Sequence, residues 1–267
     1  MSLAPTTNVN SGSSNPKVYA PNSPWADADG YVEVGDRKKQ SGVGAALGFN
    51  VGFNKRMGND FSFVAAVNGE GRVYGDSTFN SYAFSESAEM RYLLERGYFG
   101  LGLVGSQSLK SDALSFAYTS YGVRTALRYA ISAKNNLGLT AVHEWRDYAD
   151  STKLDGTALL LDADWTHAFD SSFTATISAG YDRINANEEA SAYDTWSGGL
   201  SLYKELPQGL TMGLGGQLRW SNFDGENATT LQVRQDTRLI GNINLTKRDF
   251  NIFGFAPSLS YTYTNNF

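Results

Sequence analysis

Hydrophobic residues recur at every second position over most of the chain. From Leu210 to Trp220, Leu210, Met212, Leu214, Leu218 and Trp220 share one parity, while Thr211, Gly213, Gly215, Gln217 and Arg219 share the other. Successive residues of a strand point to opposite faces, so this segment is a strand with one oily face and one small or polar face. Phe173, Ala175, Ile177, Ala179 and Tyr181 repeat the pattern. So does Val43 to Phe53, whose second face reads Gly44, Ala46, Gly48, Asn50, Gly52. Phe253, Phe255, Pro257, Leu259, Tyr261 and Tyr263 alternate in turn with Gly254, Ala256, Ser258, Ser260 and Thr262. No 3.6-residue stripe competes with these runs.

The alternation predicts thirteen strands, near 2–10, 41–54, 60–74, 80–95, 97–109, 114–132, 136–149, 156–169, 172–185, 192–206, 209–222, 231–247 and 250–267. Their connections alternate in length. Tight turns fall near 55–59, 96–97, 133–135, 170–172, 207–208 and 247–249, and longer polar stretches near 11–40, 75–80, 109–114, 148–156, 185–192 and 222–231. Short turns at one end and longer loops at the other are the layout of an all-β, antiparallel up-and-down transmembrane β-barrel. Many strands can be drawn at 11 residues or more, whereas strands of soluble sheets usually run about 5–6 residues and a tilted span needs about 9–11. Proline agrees: Pro5, Pro16, Pro21 and Pro24 lie in the first 24 residues, only Pro207 and Pro257 follow, and 25–206 holds none. Proline donates no ladder bond, so its absence suits continuously paired strands. Segment 11–40, rich in Ser, Asn, Pro and Asp, reads as one long surface loop.

Composition removes other classes. The 267 residues carry a net charge of −5, which argues against a nucleic-acid partner. Without cysteine there is no disulfide scaffold or zinc ribbon. No run of about 18 apolar residues occurs, so a helical span is excluded. The mean hydropathy of −0.34 looks soluble, but a barrel gives the same average, because half of each membrane strand faces water. Met1-Ser2-Leu3 is followed by Ala4-Pro5-Thr6-Thr7 with no basic or apolar leader; the chain is cytoplasmic or its leader lies upstream.

The non-oily parity carries Arg124, Arg128, Glu144, Arg146, Asp162, Asp164, Arg219 and Arg238. Burying these in a dry core costs several kcal/mol per unpaired ion, whereas a wet lumen accommodates them. They are the candidate lumen charges, most simply a structural charge ladder. Trp145, Trp165, Trp220, Tyr261 and Tyr263 lie near strand ends, as interfacial girdles do. His143 and His167 share the parity of Leu139 and Trp145 and of Leu161 and Trp165. Both are therefore expected to face lipid, where they serve no lumen chemistry, and the chain is read as a non-enzyme without cofactor or metal. Asp27-Ala28-Asp29-Gly30 mimics half of a calcium loop, but no Glu follows at the required spacing; it reads as a turn. Pro5 and Pro257 lie in the first and last predicted strands, where each removes a donor that no water replaces in hydrocarbon. They mark a weakly paired seam or a local bulge.

Single-chain bacterial barrels have even strand numbers. Thirteen strands, with a chain that stops at Thr264-Asn265-Asn266-Phe267, predict a fragment lacking a fourteenth strand and its native N-terminus.

Two segments carry a family resemblance. Leu3-Ala4-Pro5-Thr6-Thr7-Asn8-Val9-Asn10 resembles the opening of the C-terminal barrel of the surface lipoprotein assembly modifier (Slam) family. Arg248-Asp249-Phe250-Asn251-Ile252-Phe253-Gly254-Phe255-Ala256-Pro257-Ser258-Leu259-Ser260-Tyr261-Thr262-Tyr263 resembles that family's penultimate strand. The resemblance implies one domain over 1–267, a fourteen-stranded outer-membrane barrel that delivers lipoproteins to the cell surface, normally behind a periplasmic tetratricopeptide domain. The partners it implies are a surface lipoprotein client, outer-membrane lipids and periplasmic chaperones. A passive porin and a host-contact barrel are the competing readings, since a charged lumen alone suffices for the first and long loops for the second.

Overall fold

The structure is a computed structural model that describes residues 2–9, 17–19, 31–33, 41–74, 80–109, 116–228, 231–250 and 258–266. Its main sheet has thirteen strands, each antiparallel to its neighbour along the chain. These are β1 (Ser2–Val9), β4 (Ser41–Met57), β5 (Phe61–Tyr74), β6 (Ser81–Leu94), β7 (Gly97–Leu109), β8 (Phe116–Ser132), β9 (Asn135–Tyr148), β10 (Gly156–Ala168), β11 (Phe173–Ala186), β12 (Tyr193–Leu206), β13 (Leu210–Glu226), β14 (Val233–Lys247) and β15 (Ser258–Asn266). Strands β4 to β14 run 13–17 residues, longer than a membrane crossing requires.

The predicted strands and the observed ones agree in number and order. Three differences are physical. Strand β4 continues to Met57. Strand β13 continues to Glu226 through a register shift between Asn222 and Glu226, an irregularity that period-two counting cannot follow. The segment expected as one long loop contains a small hairpin, β2 (Lys17–Tyr19) with β3 (Tyr31–Glu33); three-residue strands are too short to show alternation. The Asp27–Gly30 turn, Pro257 and the rest of loop 11–40 lie outside the described residues. Strands β1 and β15 end the sheet order, and no register joins them among the described residues.

The sheet is inside out by the standard of a water-soluble protein. Its most covered side chains lie on the small and polar face: Ala126, Ala158, Ser120, Thr195, Glu89 and Glu144. Its large apolar side chains are open on the other, with Leu103 at 66%, Val51 at 64%, Tyr121 at 62% and Leu259 at 67% exposure. An apolar surface of that extent is stable only against another apolar phase. Two aromatic bands border it. Tyr121 stacks on Trp145 at 5.5 Å and Tyr181 meets Trp196 at 4.7 Å with its ring tilted by 50°, both toward the long loops, with Trp220 in register beside Trp196. Phe61–Tyr92 and Phe169–Phe173 contacts lie toward the short turns. Tyr121 and Tyr129 on β8 are eight residues apart, about 27 Å of strand. Near the short-turn edge, outward Lys204 folds its stem past the Phe173 ring and reaches Ser172 Oγ at 2.9 Å, as a long cation does beside an apolar surface.

Candidate functional site

Strand register places Arg124, Arg128, Glu144, Arg146, Asp162, Asp164, Arg219 and Arg238 on the covered face, opposite the exposed apolar one. They do not form one cluster. Arg128 Nη1 donates to both carboxylate oxygens of Asp164 at 2.6 Å, from β8 across β9 to β10. Arg146 donates to Glu144 on its own strand, its Nη2 at 2.5 Å. Arg124 Nη1 reaches Glu89 at 2.7 Å, across β7 to β6, and Arg219 Nη2 reaches Asp182 at 2.7 Å, across β12 to β11. Arg238 stands opposite Arg219 and donates to Asn266 Oδ1 at 2.8 Å. Asp162 faces the same way, beside Gly180.

Two of the cross-strand pairs pass over a glycine for a reason of reach. Neighbouring strands lie about 4.8 Å apart, so a pair that skips a strand spans nearly twice that, and a large side chain directly between the partners on the middle strand obstructs it. Gly138 supplies the gap for Arg128–Asp164: a Cβ there lies 1.9 Å from Arg128 Nη1 and 2.5 Å from Asp164 Oδ1. Gly102 does so for Glu89–Arg124, where a Cβ meets the Ala88 carbonyl at 2.3 Å and Glu89 Cα at 2.8 Å. Glu89 is the most covered member of the belt, with 5% of its side chain exposed, and it also accepts from Arg91 at 2.5 Å.

Glu89, Arg91 and Asp182 were not among the residues singled out from the sequence. Their parity was legible, since Glu89 falls with Ser85 and Ser87 on the polar side of its strand. Their partners were not, because alternation says which face a residue takes and nothing about a neighbour two strands away.

A second polar feature is uncharged. Asn50, Asn68, Ser85, Ser106 and Ser120 follow one another in register across β4 to β8. Asn50 Nδ2 donates to Asn68 Oδ1, Asn68 Nδ2 to Ser85 Oγ at 3.3 Å, and the Ser106 and Ser120 hydroxyls bond at 2.9 Å. A cavity of about 970 Å³ opens on this row, and Ser260 of β15 also lines it. A second, of about 360 Å³, is lined by Asn68, Ser85 and Ser106 together with Arg124 and Glu144.

The histidines lie on the apolar face. His143 packs edge-on against Trp145 at 4.9 Å, and His167 Nδ1 is 2.9 Å from Asn135 Oδ1. In the long loops, Lys153 pairs with Glu188 at 2.7 Å. That hydrogen bond holds the Glu188 carboxyl below its ordinary range and the Lys153 ammonium above its own. Among the described residues no group of three or more metal-ligating side chains occurs.

The sequence profile of the surface lipoprotein assembly modifier family matches residues 1–267. The chain belongs to that family. Membership gives it a role in surface lipoprotein assembly in general, with surface lipoproteins as the substrates that the family name implies. Family and all-β fold together are consistent with an outer-membrane protein. No curated protein matches the chain.

Proposed function

We propose that this protein is an outer-membrane translocator barrel that delivers lipoproteins to the bacterial cell surface and performs no catalysis. The observation that carries the reading is the inversion of the sheet. A charged and hydroxylated inner face suits a wet passage, and an outer face bounded by aromatic bands suits lipid. Family membership supports a lipoprotein as the cargo. The eight lumen charges stiffen the wall, and the long loops, 11–40 among them, are the surfaces a client meets on emerging. Strands β1 and β15 are the places for a sideways exit of a lipid-anchored client, since Pro5 in β1 offers no donor to a ladder. Periplasmic chaperones would hand the client over.

The test uses the full-length gene in a Gram-negative host with a tagged lipoprotein from the same genome. External protease is applied to intact cells with and without the barrel, beside a periplasmic marker. Barrel-dependent cleavage of the lipoprotein with the marker protected is the expected result. If no lipoprotein becomes exposed while small solutes cross the purified barrel in liposomes, the protein is a diffusion channel. If it carries neither and its loops bind host surfaces, it is an adhesive barrel. Disulfides that lock β1 to its neighbour across the seam should stop export; intact export would remove the sideways exit.

A further inference from the structure

The neutral row on β4 to β8 differs in kind from the charged belt beside it. In the belt charged donors and acceptors are fixed on each other as ion pairs, whereas the mutual bonds of the row join neutral groups. Arg128 spends its fork on Asp164, Arg219 reaches Asp182, and Glu89 is held between Arg91 and Arg124. In the row the groups are serine hydroxyls and asparagine amides. Each both donates and accepts. Small residues flank the row on β6 (Ala83 and Ser87) and on β4 (Gly52), while Glu70 beside Asn68 and Tyr118 beside Ser120 also line the larger cavity. Both cavities named above open on Asn68, Ser85 and Ser106, the smaller one also on Arg124 and Glu144 of the belt. Ser260 of β15 bounds the larger one, which places the last strand of the sheet order across the cavity from the row.

We propose that Asn50, Asn68, Ser85 and Ser106 of the row, backed by the covered Ser120, form the track along which an extended client polypeptide passes. The inference rests on the translocation reading and adds the wall of contact and the chemistry of that contact. An extended chain carries one backbone donor and one acceptor per residue, whatever its sequence. A wall of short groups that both donate and accept can replace water on either without selecting for side chain. A wall of fixed charges cannot, because it holds segments of opposite sign and repels those of like sign. A substrate of varied composition that must not stall therefore fits the neutral row, and the paired belt is the part of the wall it slides past.

The experiment places the photoreactive amino acid p-benzoylphenylalanine at Ser85 and Ser106, and separately at Ser178 and Gln217 beside the charged belt. It uses the full-length protein in cells that express the tagged lipoprotein. Adduct with the lipoprotein is expected at Ser85 and Ser106, roughly tenfold above Ser178 and Gln217, the ratio that a contact preference of one order of magnitude gives. Equal or greater adduct at Ser178 and Gln217 overturns the proposal. So does absence of adduct at all four positions while the lipoprotein still reaches the surface. If the wild-type barrel exposes no lipoprotein, the translocation reading itself has failed, and that control separates the two failures. Substitution adds a second readout: Ser106→Asp and Ser106→Lys should each slow surface exposure roughly tenfold, and Ser106→Thr, which keeps the hydroxyl, should slow it less than either. Unaltered export in both charged variants, at equal barrel levels, overturns the assignment.

Discussion

The charged belt and the neutral row occupy the same face of one sheet, yet they are built by different rules. In the row, each hydrogen bond joins adjacent strands, so short side chains suffice and the sequence needs only serine or asparagine at the matching parity. In the belt, Glu89–Arg124, Arg128–Asp164 and Asp182–Arg219 each skip a strand. Only a long arginine can make that reach, and only over a middle strand with little in the way. Polarity on a sheet face thus comes in a short-range form that tolerates local change and a long-range form that, in two of its three pairs, depends on a glycine between the partners.

The strongest way to break this distinction is to fill the gaps. Gly102→Val should cost 3 kcal/mol or more, on the order of a severe overpacking change, because the new side chain meets the Ala88 carbonyl and Glu89 Cα, which cannot rotate away. Gly138→Ala should cost about 1 kcal/mol, since it meets only the movable ends of Arg128 and Asp164. Urea titration of the folded barrel, read by its shift on unheated gels, ranks the two. Equal losses would mean that the glycines serve the backbone alike and that the ion pairs are incidental. Next in size is the belt itself. Arg124→Met should cost about 2 kcal/mol, because Glu89 is nearly covered and keeps only Arg91. Arg128→Met should cost about 0.5 kcal/mol, since Arg128 is 44% exposed. A double-mutant cycle on Glu89 and Arg124 isolates the pair term.

The same contrast shows how much the sequence alone could tell. Period two placed all thirteen strands of the main sheet and told which of the charged side chains share a face, because successive residues of a strand alternate sides. It identified Arg124 and Arg219 but missed Glu89 and Asp182 as their partners: which carboxylate an arginine finds depends on register summed over two strand pairings. It passed over the neutral row because Ser and Asn are also the residues of loops, and nothing in a list of charges singles them out. The glycines at 102 and 138 read as part of a small-residue face, and only the positions of the guanidinium groups show which of them are required. Trp196 was not singled out as a girdle residue, although it lies as near the end of its predicted strand as Trp145 and Trp165 do and register puts it beside Trp220.

Within the row, Ser120→Ala should cost about 1 kcal/mol, as the loss of one covered hydroxyl bonded to Ser106 and near Glu144 does. Ser85→Ala, less covered and accepting a longer bond from Asn68, should cost less. If either exceeded Arg124→Met, the row and not the belt would be the stiff element of the wall.

The smallest effect lies at the short-turn end, away from both the belt and the row, and it has a definite sign. Asp170 accepts from the Ser172 hydroxyl and the Ser172 backbone N–H, both at 2.7 Å, which lowers its carboxyl from the ordinary 3.8 to about 2. A group whose folded value is depressed stabilises the fold above its unfolded value, and that contribution is lost as pH falls through the folded one. The turn between β10 and β11 should therefore hold at neutral pH and loosen between about pH 4 and pH 2, as the carboxylate loses its acceptor role. Amide exchange at Ser172 should accelerate in that window, and Asp170→Asn should flatten the pH dependence while leaving the belt and the row untouched. Acceleration of the same size at Ser120 or Ala126 would show that acid opens the whole wall, and that the turn and the two bands are one cooperative unit.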